Sequence, residues 1–164
     1  MVVLDQYRIK HKIARLSYEI LENNENEEMI IMAGINNNGY RFAELICASL
    51  ETITSKKIIL TRIKINPANP LSTPVEIDPL LPEVANKTVI IVDDVANSGR
   101  TIFYAFKVFL DHLMEKIEVA VLVDRKHKLF PVKVDYVGLS LATTVHENIK
   151  ANLRDEENMT VVLS

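Results

Sequence analysis

The fold of this protein is decided by one stretch, residues 89–101, which reads VIIVDDVANSGRT. Four β-branched residues lead directly into two aspartates, and small and hydroxylated residues follow, together with a glycine and an arginine. The apolar run is typical of a buried strand over residues 88–92. Because an unpaired carboxylate is costly to bury, Asp93 and Asp94 are expected where this strand ends. The stretch therefore predicts a strand, followed by a loop that curls into the start of a helix.

The rest of the chain alternates between apolar runs and amphipathic segments. Further strands are predicted near residues 29–34, 57–65, 119–124, 132–139 and 159–163. Helices are predicted near residues 5–23, 40–50 and 102–113, and the last of them is expected to bury Leu110 and Leu113. The strands are apolar almost throughout, which is typical of a sheet covered on both faces. We therefore expect an α/β fold, with a mostly parallel sheet and helices on both faces.

Length and composition are those of an ordinary globular protein. The chain has 164 residues, and its net charge of −3 gives no general attraction to nucleic acid or anionic membranes. Cys47 is the only cysteine, so no intramolecular disulfide can form. The first residues do not resemble a signal peptide, and no apolar run approaches the length of a membrane span. We expect a single domain over residues 1–164, located in the cytoplasm and without a membrane partner.

Residues 66–82 form a proline-rich segment. It contains Pro67, Pro70, Pro74, Pro79 and Pro82. Neither a helix nor an interior strand tolerates prolines at this density. A connection of this length inside a compact domain usually serves a function. The sequence therefore predicts a mobile loop over residues 66–82.

The chemistry of residues 89–101 suits a phosphorylated sugar. In parallel sheets, ligands bind beyond the carboxyl ends of the strands, where Asp93 and Asp94 would accept hydrogen bonds from a diol or hold a metal ion. The loop that follows exposes backbone N–H groups and carries the hydroxyls of Ser98 and Thr101, which favour an anion. Gly99 permits a close approach of the backbone. The alternative is a generic nucleotide-fold turn in which the two aspartates are incidental.

This stretch resembles the signature with which type I phosphoribosyltransferases bind phosphoribosyl pyrophosphate. Two further segments resemble the bacterial pyrimidine-operon attenuator proteins that are also uracil phosphoribosyltransferases: MAGINNNGYRFAELI at residues 32–46 and AVLVDRKHKLFPVKVDYVG at residues 120–138. The resemblance covers most of residues 29–141. It implies a type I phosphoribosyltransferase fold with a small hood, built from the terminal regions of the chain, and it implies a homo-oligomer.

The resemblance implies a role for each group of matching residues. Asp93 and Asp94 would hold the ribose hydroxyls, Tyr136 would stack on the base, and the backbone near Val137 would read the edge of the base. The 5′-phosphate would be held by Ala96, Asn97, Ser98, Gly99, Arg100 and Thr101. Pyrophosphate would be held, largely through backbone, by Asn36, Asn37, Asn38 and Gly39. Mg²⁺ would be bound mainly through the substrate, keeping several waters and few protein ligands.

The implied activity is Mg²⁺-dependent transfer of phosphoribosyl from phosphoribosyl pyrophosphate to a nucleobase. Purine-salvage relatives carry a lysine where this chain has Asp124, and an aspartate where it has Thr143. These differences weigh against a 6-oxopurine and favour a pyrimidine such as uracil. The resemblance therefore places Asp124 and Arg125 near the base. The alternative is that these two residues form a structural ion pair with each other.

Two segments depart from the family pattern. Relatives carry a basic residue in the pyrophosphate loop, where this chain has three asparagines, and a Tyr-Arg pair in the mobile loop, which this chain lacks. Arg62 and Lys64 would supply the lost charge and act in catalysis, unless they form a solvated strand face. The alternative function is a nucleotide-sensing regulator with weak or no catalysis, which would bind a nucleoside monophosphate. RNA would be a further partner, through the basic cluster at residues 125–128.

Overall fold

The computed structural model of the protein describes residues 1–81 and 83–164. Its strands are β1 (Val2–Leu4), β2 (Met29–Ile35), β3 (Lys57–Lys64), β4 (Glu76–Asp78), β5 (Thr88–Ala96), β6 (Lys116–Arg125), β7 (Tyr136–Leu141), β8 (Ile149–Asn152) and β9 (Thr160–Leu163). Its helices are α1 (Gln6–Asn23), α2 (Asn36–Glu51) and α3 (Arg100–Ala105), with a 3-10 helix at Phe106–Phe109. The main sheet has the order β4-β3-β2-β5-β6-β7, and every neighbouring pair except β3 and β4 is parallel. The predicted mostly parallel sheet is confirmed.

Helices cover both faces of the main sheet, as the apolar strands predict. On one face, α1 and α2 pack over a core that contains Phe42 and Ile46. On the other face, α3 and the 3-10 helix bury Ile102 and Phe109. Fully burying a side chain of this size contributes about 1.5–3 kcal/mol, so the two layers hold the central strands in a fixed orientation.

The third predicted helix is shorter than expected. α3 ends at Ala105, and the 3-10 helix that continues it ends at Phe109. Leu110 and Leu113 are 69% and 81% exposed, so the prediction that both are buried is wrong. A 3-10 helix turns by about 120° per residue instead of about 100°, and the apolar spacing then no longer stays on one face. No helix in the described part of the chain is long and apolar enough to cross a membrane.

A second, smaller sheet is built from both terminal regions of the chain. Its strands are antiparallel and have the order β1-β9-β8. The buried side chains of Met159 and Val161 join this sheet to the core beneath α1 and α2. Its edge strand β8 lies against β5. This sheet, called the hood below, therefore stands beside the end of the central strand.

One short strand interrupts the proline-rich segment. β4 pairs antiparallel with β3, with Ile77 opposite Ile63, and forms the edge of the main sheet. An edge position is the one that prolines tolerate, and Pro79 follows β4 directly. Residue 82, the last residue of the predicted mobile loop, lies outside the described residues. The mobility of the segment stays a prediction.

Candidate active site

A cavity of about 500 Å³ opens at the carboxyl ends of β2 and β5, beside the hood. These strands are neighbours and run parallel, so the segments that follow them meet at one edge of the sheet. The cavity is lined by Ile35, Asn36, Asn37, Asn38, Pro67, Asp93, Asp94, Val95, Asn97, Thr101, Ile149, Lys150, Ala151 and Arg154. The fold therefore brings the paired aspartates, the three asparagines and the hood to one place.

The two aspartates lie within the last part of β5. The strand continues beyond them to Ala96, because Asp93 pairs with Val121 and Val95 pairs with Val123 of β6. The prediction that the strand stops at residue 92 is therefore wrong. An extended backbone can continue past the aspartates because the cavity leaves both side chains partly accessible.

Burial raises the pKa of both carboxyls. For Asp93, the charge of neighbouring Asp94 raises the pKa further. For Asp94, hydrogen bonds oppose the effect of burial without overcoming it, and one of them comes from the side chain of Asn38. The carboxylate of Asp93 also accepts a hydrogen bond from the backbone N–H of Asp94 at 2.9 Å. Two partly desolvated carboxylates side by side favour hydroxyl donors or a cation.

The predicted pyrophosphate turn is the first turn of α2. Asn36 has a left-handed φ of 51°, which lets the helix begin directly after β2. The side chain of Asn36 donates a hydrogen bond to the backbone carbonyl of Ile65 at 2.9 Å. It also accepts one from the backbone N–H of Ile65 at 3.0 Å. A Cβ on Gly39 would lie 2.6 Å from the carbonyl oxygen of Val92. The turn is therefore packed closely against β5, and its first asparagine side chain is bound to Ile65, the residue that follows β3.

The predicted phosphate loop divides into two groups of residues. Asn97 and Thr101 line the cavity, whereas Ala96 is buried. The carbonyl of Ser98 accepts hydrogen bonds at 2.9 and 3.2 Å from two N–H groups of the segment after β6. Gly99 has a φ of 86°, a conformation that favours glycine. Two of these five residues, Asn97 and Thr101, therefore line the cavity, whereas Ser98 and Gly99 set the conformation of the loop.

Arg100 connects this loop to the proline-rich segment. Its guanidinium donates a hydrogen bond at 2.6 Å to the carbonyl of Pro67, which lines the cavity. We expect Arg100→Ala to increase amide hydrogen exchange at Ala68 and Asn69 about tenfold, because a charge-assisted hydrogen bond is lost. Exchange measured by NMR checks this, with the core strand β2 as the internal control. Unchanged exchange at both amides would contradict it.

Arg62 and Lys64 do not face this cavity, which contradicts their predicted catalytic role. The guanidinium carbon of Arg62 lies 4.1 Å from the ring centre of Tyr40. Lys64 forms an ion pair with Asp78 of β4 at 2.8 Å and lines a separate cavity of about 720 Å³. Alternate residues of a strand share a face, so Arg62 and Lys64 lie near each other, as expected. Their contacts, however, are set by neighbouring elements, and Lys64 pairs with Asp78 because β4 lies beside β3.

Tyr136 and Val137 also differ from their predicted roles. The ring of Tyr136 is 1% exposed and lies in the core beneath α1, where its hydroxyl donates to the carboxylate of Glu118 at 2.8 Å. The carbonyl of Val137 accepts a hydrogen bond from the guanidinium of Arg15 at 2.8 Å. The structure therefore contradicts base stacking by Tyr136, and α1 occupies the backbone expected to read the base.

Tyr136 is instead part of a buried polar cluster with Asn24 and Glu118. Burial and the adjacent carboxylate of Glu118 raise the pKa of the Tyr136 hydroxyl. We expect Tyr136→Phe to lower the free energy of unfolding by about 1–3 kcal/mol, because Glu118 keeps Asn24 as a donor but loses Tyr136 in a buried site. Urea denaturation checks this value. Tyr104→Phe, at a partly exposed ring, is the matched control, and equal small losses in both variants would contradict the expectation.

Asp124 and Arg125 are held by other residues at the end of β6. Asp124 forms an ion pair with Lys128 and not with Arg125, so the alternative of a pair between the two is wrong. The guanidinium of Arg125 donates to the hydroxyl of Thr143 at 2.7 Å and to the side-chain oxygen of Asn97 at 3.3 Å. Asn97 lines the cavity and Arg125 does not, so Arg125 contacts the site through the side chain of Asn97.

Seven cavity residues were not among the predicted site residues: Ile35, Pro67 and Val95, which adjoin predicted segments, and four residues of the hood. The hood residues are Ile149, Lys150, Ala151 and Arg154. β8 is only four residues long, and its position depends on pairing with β9 at the end of the chain. The sequence carries no local signal for such a long-range contact. The hood nevertheless supplies the only positively charged side chains among the described residues that line the cavity.

The cavity offers carboxylate oxygens to a cation. Asp93 and Asp94 are the only acidic side chains among its described lining residues. Across residues 1–81 and 83–164, no group of three or more His, Cys, Asp or Glu side chains could hold a metal ion. Two adjacent carboxylates that line a cavity suit a Mg²⁺ ion that takes its remaining ligands from substrate and water.

Comparison with known proteins identifies the family of this chain. The phosphoribosyl transferase domain family matches residues 3–156. The bifunctional protein PyrR of Clostridium botulinum (strain Alaska E43 / Type E3) is 36% identical over 160 residues, which cover 93% of this chain and 89% of that protein. The bifunctional protein PyrR of Clostridioides difficile (strain 630) is 32% identical and matches 97% of this chain and 96% of its own length.

Solved structures share the fold. A hypoxanthine-guanine phosphoribosyltransferase from Bacillus anthracis superimposes with a TM-score of 0.75 at 18% identity, covering 99% of this chain and 96% of that one. The hypoxanthine phosphoribosyltransferase of Trypanosoma cruzi gives a TM-score of 0.76 at 13% identity, covering 98% and 95%. At these identities the likeness concerns the fold alone. The domain match over residues 3–156, with relatives at 36% and 32% identity, shows that the chain belongs to the phosphoribosyl transferase domain family.

Proposed function

We propose that the protein transfers the phosphoribosyl group of phosphoribosyl pyrophosphate to a pyrimidine base such as uracil. One observation carries this proposal: Asp93 and Asp94 share a cavity with the turn at residues 36–38 and with Asn97 and Thr101. A ribose 5-phosphate needs hydrogen-bond acceptors for its diol and a loop of donors for its phosphate, and this cavity offers both. The resemblance to the uracil-using attenuator family supports the choice of a pyrimidine.

In this proposal, the residues of the chain position the substrate and do not attack it. Asp93 and Asp94 accept hydrogen bonds from the ribose hydroxyls, while Asn97 and Thr101 donate to the 5′-phosphate. Breaking the bond between C1′ and pyrophosphate develops positive charge on the ribose, as in glycoside transfer. The neighbouring carboxylates stabilise this charge, and the fixed geometry brings the base close to C1′.

Asp93 and Asp94 would also hold Mg²⁺ together with oxygens of the substrate. The bound ion supplies positive charge to the leaving pyrophosphate. A cation beside the carboxylates lowers their pKa values and so opposes the effect of burial. We therefore propose that Mg²⁺ and phosphoribosyl pyrophosphate each strengthen the binding of the other.

A turnover assay with phosphoribosyl pyrophosphate, Mg²⁺ and a panel of bases tests this function. We expect uracil to be converted to its nucleotide with release of pyrophosphate, and we expect EDTA to stop the reaction. Absence of nucleotide with every base, from folded protein, would overturn the transferase activity. Turnover with hypoxanthine or guanine but not with uracil would overturn the choice of a pyrimidine.

A second candidate function is a nucleotide-sensing regulator with weak or no catalysis. It is supported by the uncharged turn at residues 36–38 and by Arg62 and Lys64, which face other parts of the molecule. It predicts tight binding of uridine 5′-monophosphate without turnover, which calorimetry measures. An RNA partner would bind in a salt-dependent way and lose affinity when Lys126 and Lys128 are neutralised. Lys126 is exposed, whereas Lys128 is paired with Asp124.

A further inference from the structure

We propose that Lys150, with Arg154 beside it, binds the pyrophosphate group in place of a basic residue in the α2 turn. This inference rests on the proposed phosphoribosyltransferase function and names which residues carry the leaving-group charge. Both cations belong to the hood and line the same cavity as Asp93 and Asp94. The charge needed for pyrophosphate would thus come from the terminal region of the chain.

The distribution of charge in the cavity points to this assignment. Its two acidic side chains, Asp93 and Asp94, lie on the β5 wall, and its two basic side chains lie on the hood wall. The turn at residues 36–38 carries no charge. A ligand with a diol at one end and two phosphates at the other matches this separation, since carboxylates accept from hydroxyls and cations attract phosphates.

Other cations near the site are engaged elsewhere. The guanidinium of Arg62 lies over the Tyr40 ring, and Lys64 pairs with Asp78. The guanidinium of Arg100 is turned toward the carbonyl of Pro67. Lys150 and Arg154 are exposed, and within residues 1–81 and 83–164 neither has a carboxylate within 4.0 Å. Among the described residues, no ion pair therefore competes with a ligand for either cation.

The hood segment that carries Arg154 is fixed in position. Arg41 of α2 donates to the carbonyl of Leu153 at 2.9 Å and pairs with Glu156 at 3.1 Å. These contacts hold the backbone on both sides of Arg154 against α2. A recess of about 110 Å³ at this point is lined by Asn37, Asn38 and Arg154 among others. Arg154 thus stands next to the turn whose charge it would replace.

Calorimetry with magnesium pyrophosphate tests the inference directly. We expect Lys150→Gln to weaken binding about tenfold and Lys150→Gln with Arg154→Gln to weaken it about a hundredfold, because each removes one charge-assisted contact. Binding of uridine 5′-monophosphate, which has no pyrophosphate, is expected to stay within about threefold. Lys150→Arg keeps the charge and is expected to retain most of the affinity for pyrophosphate.

The double variant Lys57→Gln with Lys87→Gln is the matched control. It removes the same charge at a different cavity, which both of these lysines line, and is expected to bind magnesium pyrophosphate like the wild type. Full pyrophosphate affinity in the Lys150 and Arg154 double variant would overturn the inference and leave the proposed function standing. A wild-type protein that binds neither pyrophosphate nor phosphoribosyl pyrophosphate would overturn both.

Discussion

Replacing Asp94 with asparagine is expected to lower kcat/KM for phosphoribosyl pyrophosphate about a hundredfold. The carboxylate is proposed to accept a ribose hydroxyl and to face the Mg²⁺ ion, so the variant loses two charge-dependent contacts. Each charge-assisted contact is worth about 1.5–3 kcal/mol, and each 1.36 kcal/mol corresponds to about tenfold in rate. Steady-state kinetics with the best base measure this loss.

The same variant is expected to be more stable than the wild type at neutral pH. The pKa of Asp94 is raised by burial, so the folded protein holds this proton more tightly than the unfolded chain. Ionisation therefore costs stability as the pH rises from the unfolded value through the raised one. Asp94→Asn removes that cost, and we expect a gain of about 1 kcal/mol at pH 8 that disappears at low pH.

Asp78→Asn is the control for the stability effect. The pKa of Asp78 is lowered, whereas that of Asp94 is raised, so removing the Asp78 charge is expected to destabilise the protein at neutral pH. A hydrogen bond and the charge of Lys64 lower the pKa of the exposed Asp78 carboxyl. This group stabilises the fold above its unfolded pKa, and the contribution is lost as the pH falls through the lowered value. Urea denaturation between about pH 2 and pH 8 compares the variants, because the contribution of Asp78 is lost only below its unfolded pKa. Destabilisation by Asp94→Asn at pH 8, or unchanged kcat/KM, would contradict the roles assigned to the aspartate.

Replacing Gly39 with alanine is expected to damage the fold and the site together. The added Cβ would lie 2.6 Å from the carbonyl oxygen of Val92 and 3.1 Å from a carboxylate oxygen of Asp93. Alanine gains up to about 1 kcal/mol in helix propensity, but overpacking against backbone costs about 1–3 kcal/mol. We expect a net loss of about 1–2 kcal/mol in the free energy of unfolding and at least a tenfold higher KM for phosphoribosyl pyrophosphate.

Ala48→Gly, on the exposed face of the same helix, is the matched control for Gly39→Ala. It costs about 1 kcal/mol through helix propensity and brings no atoms into contact, so KM is expected to stay unchanged. Denaturation and kinetics on both variants separate the two effects. A Gly39→Ala protein with wild-type KM would show that the close approach of α2 to β5 does not shape the site.

The sequence was sufficient for the parallel strands of the main sheet because they are signalled locally, whereas the edge strand β4 was missed. The apolar runs that became β2, β5 and β6 need two covered faces, and this requirement fixes a parallel sheet with helices on both sides. The place of the two aspartates in a cavity was also predictable, since a pair of adjacent carboxylates is costly to bury, whereas their role toward a ribose stays a prediction. The cavity that contains Asp93 and Asp94 lies where this reasoning placed it.

The errors arise where a partner distant in sequence decides the outcome. Tyr136 was assigned to the base by resemblance, but Asn24 and Glu118 hold its hydroxyl in the core. The direction of Lys64 is set by Asp78, fourteen residues later in the chain, and no local pattern indicates that pair. Lys150 reaches the cavity only because β8 pairs with β9. Side-chain direction at a sheet edge thus depends on contacts that periodicity does not encode.

The central claim is that the cavity between β5 and the hood binds phosphoribosyl pyrophosphate. A crystal structure of the protein with phosphoribosyl pyrophosphate and Mg²⁺ tests it most directly. We predict the ribose hydroxyls within hydrogen-bond distance of Asp93 and Asp94, the 5′-phosphate against Asn97 and Thr101, and the pyrophosphate toward Lys150. A ligand bound at another cavity, or bound here with its ribose away from both aspartates, would contradict the account.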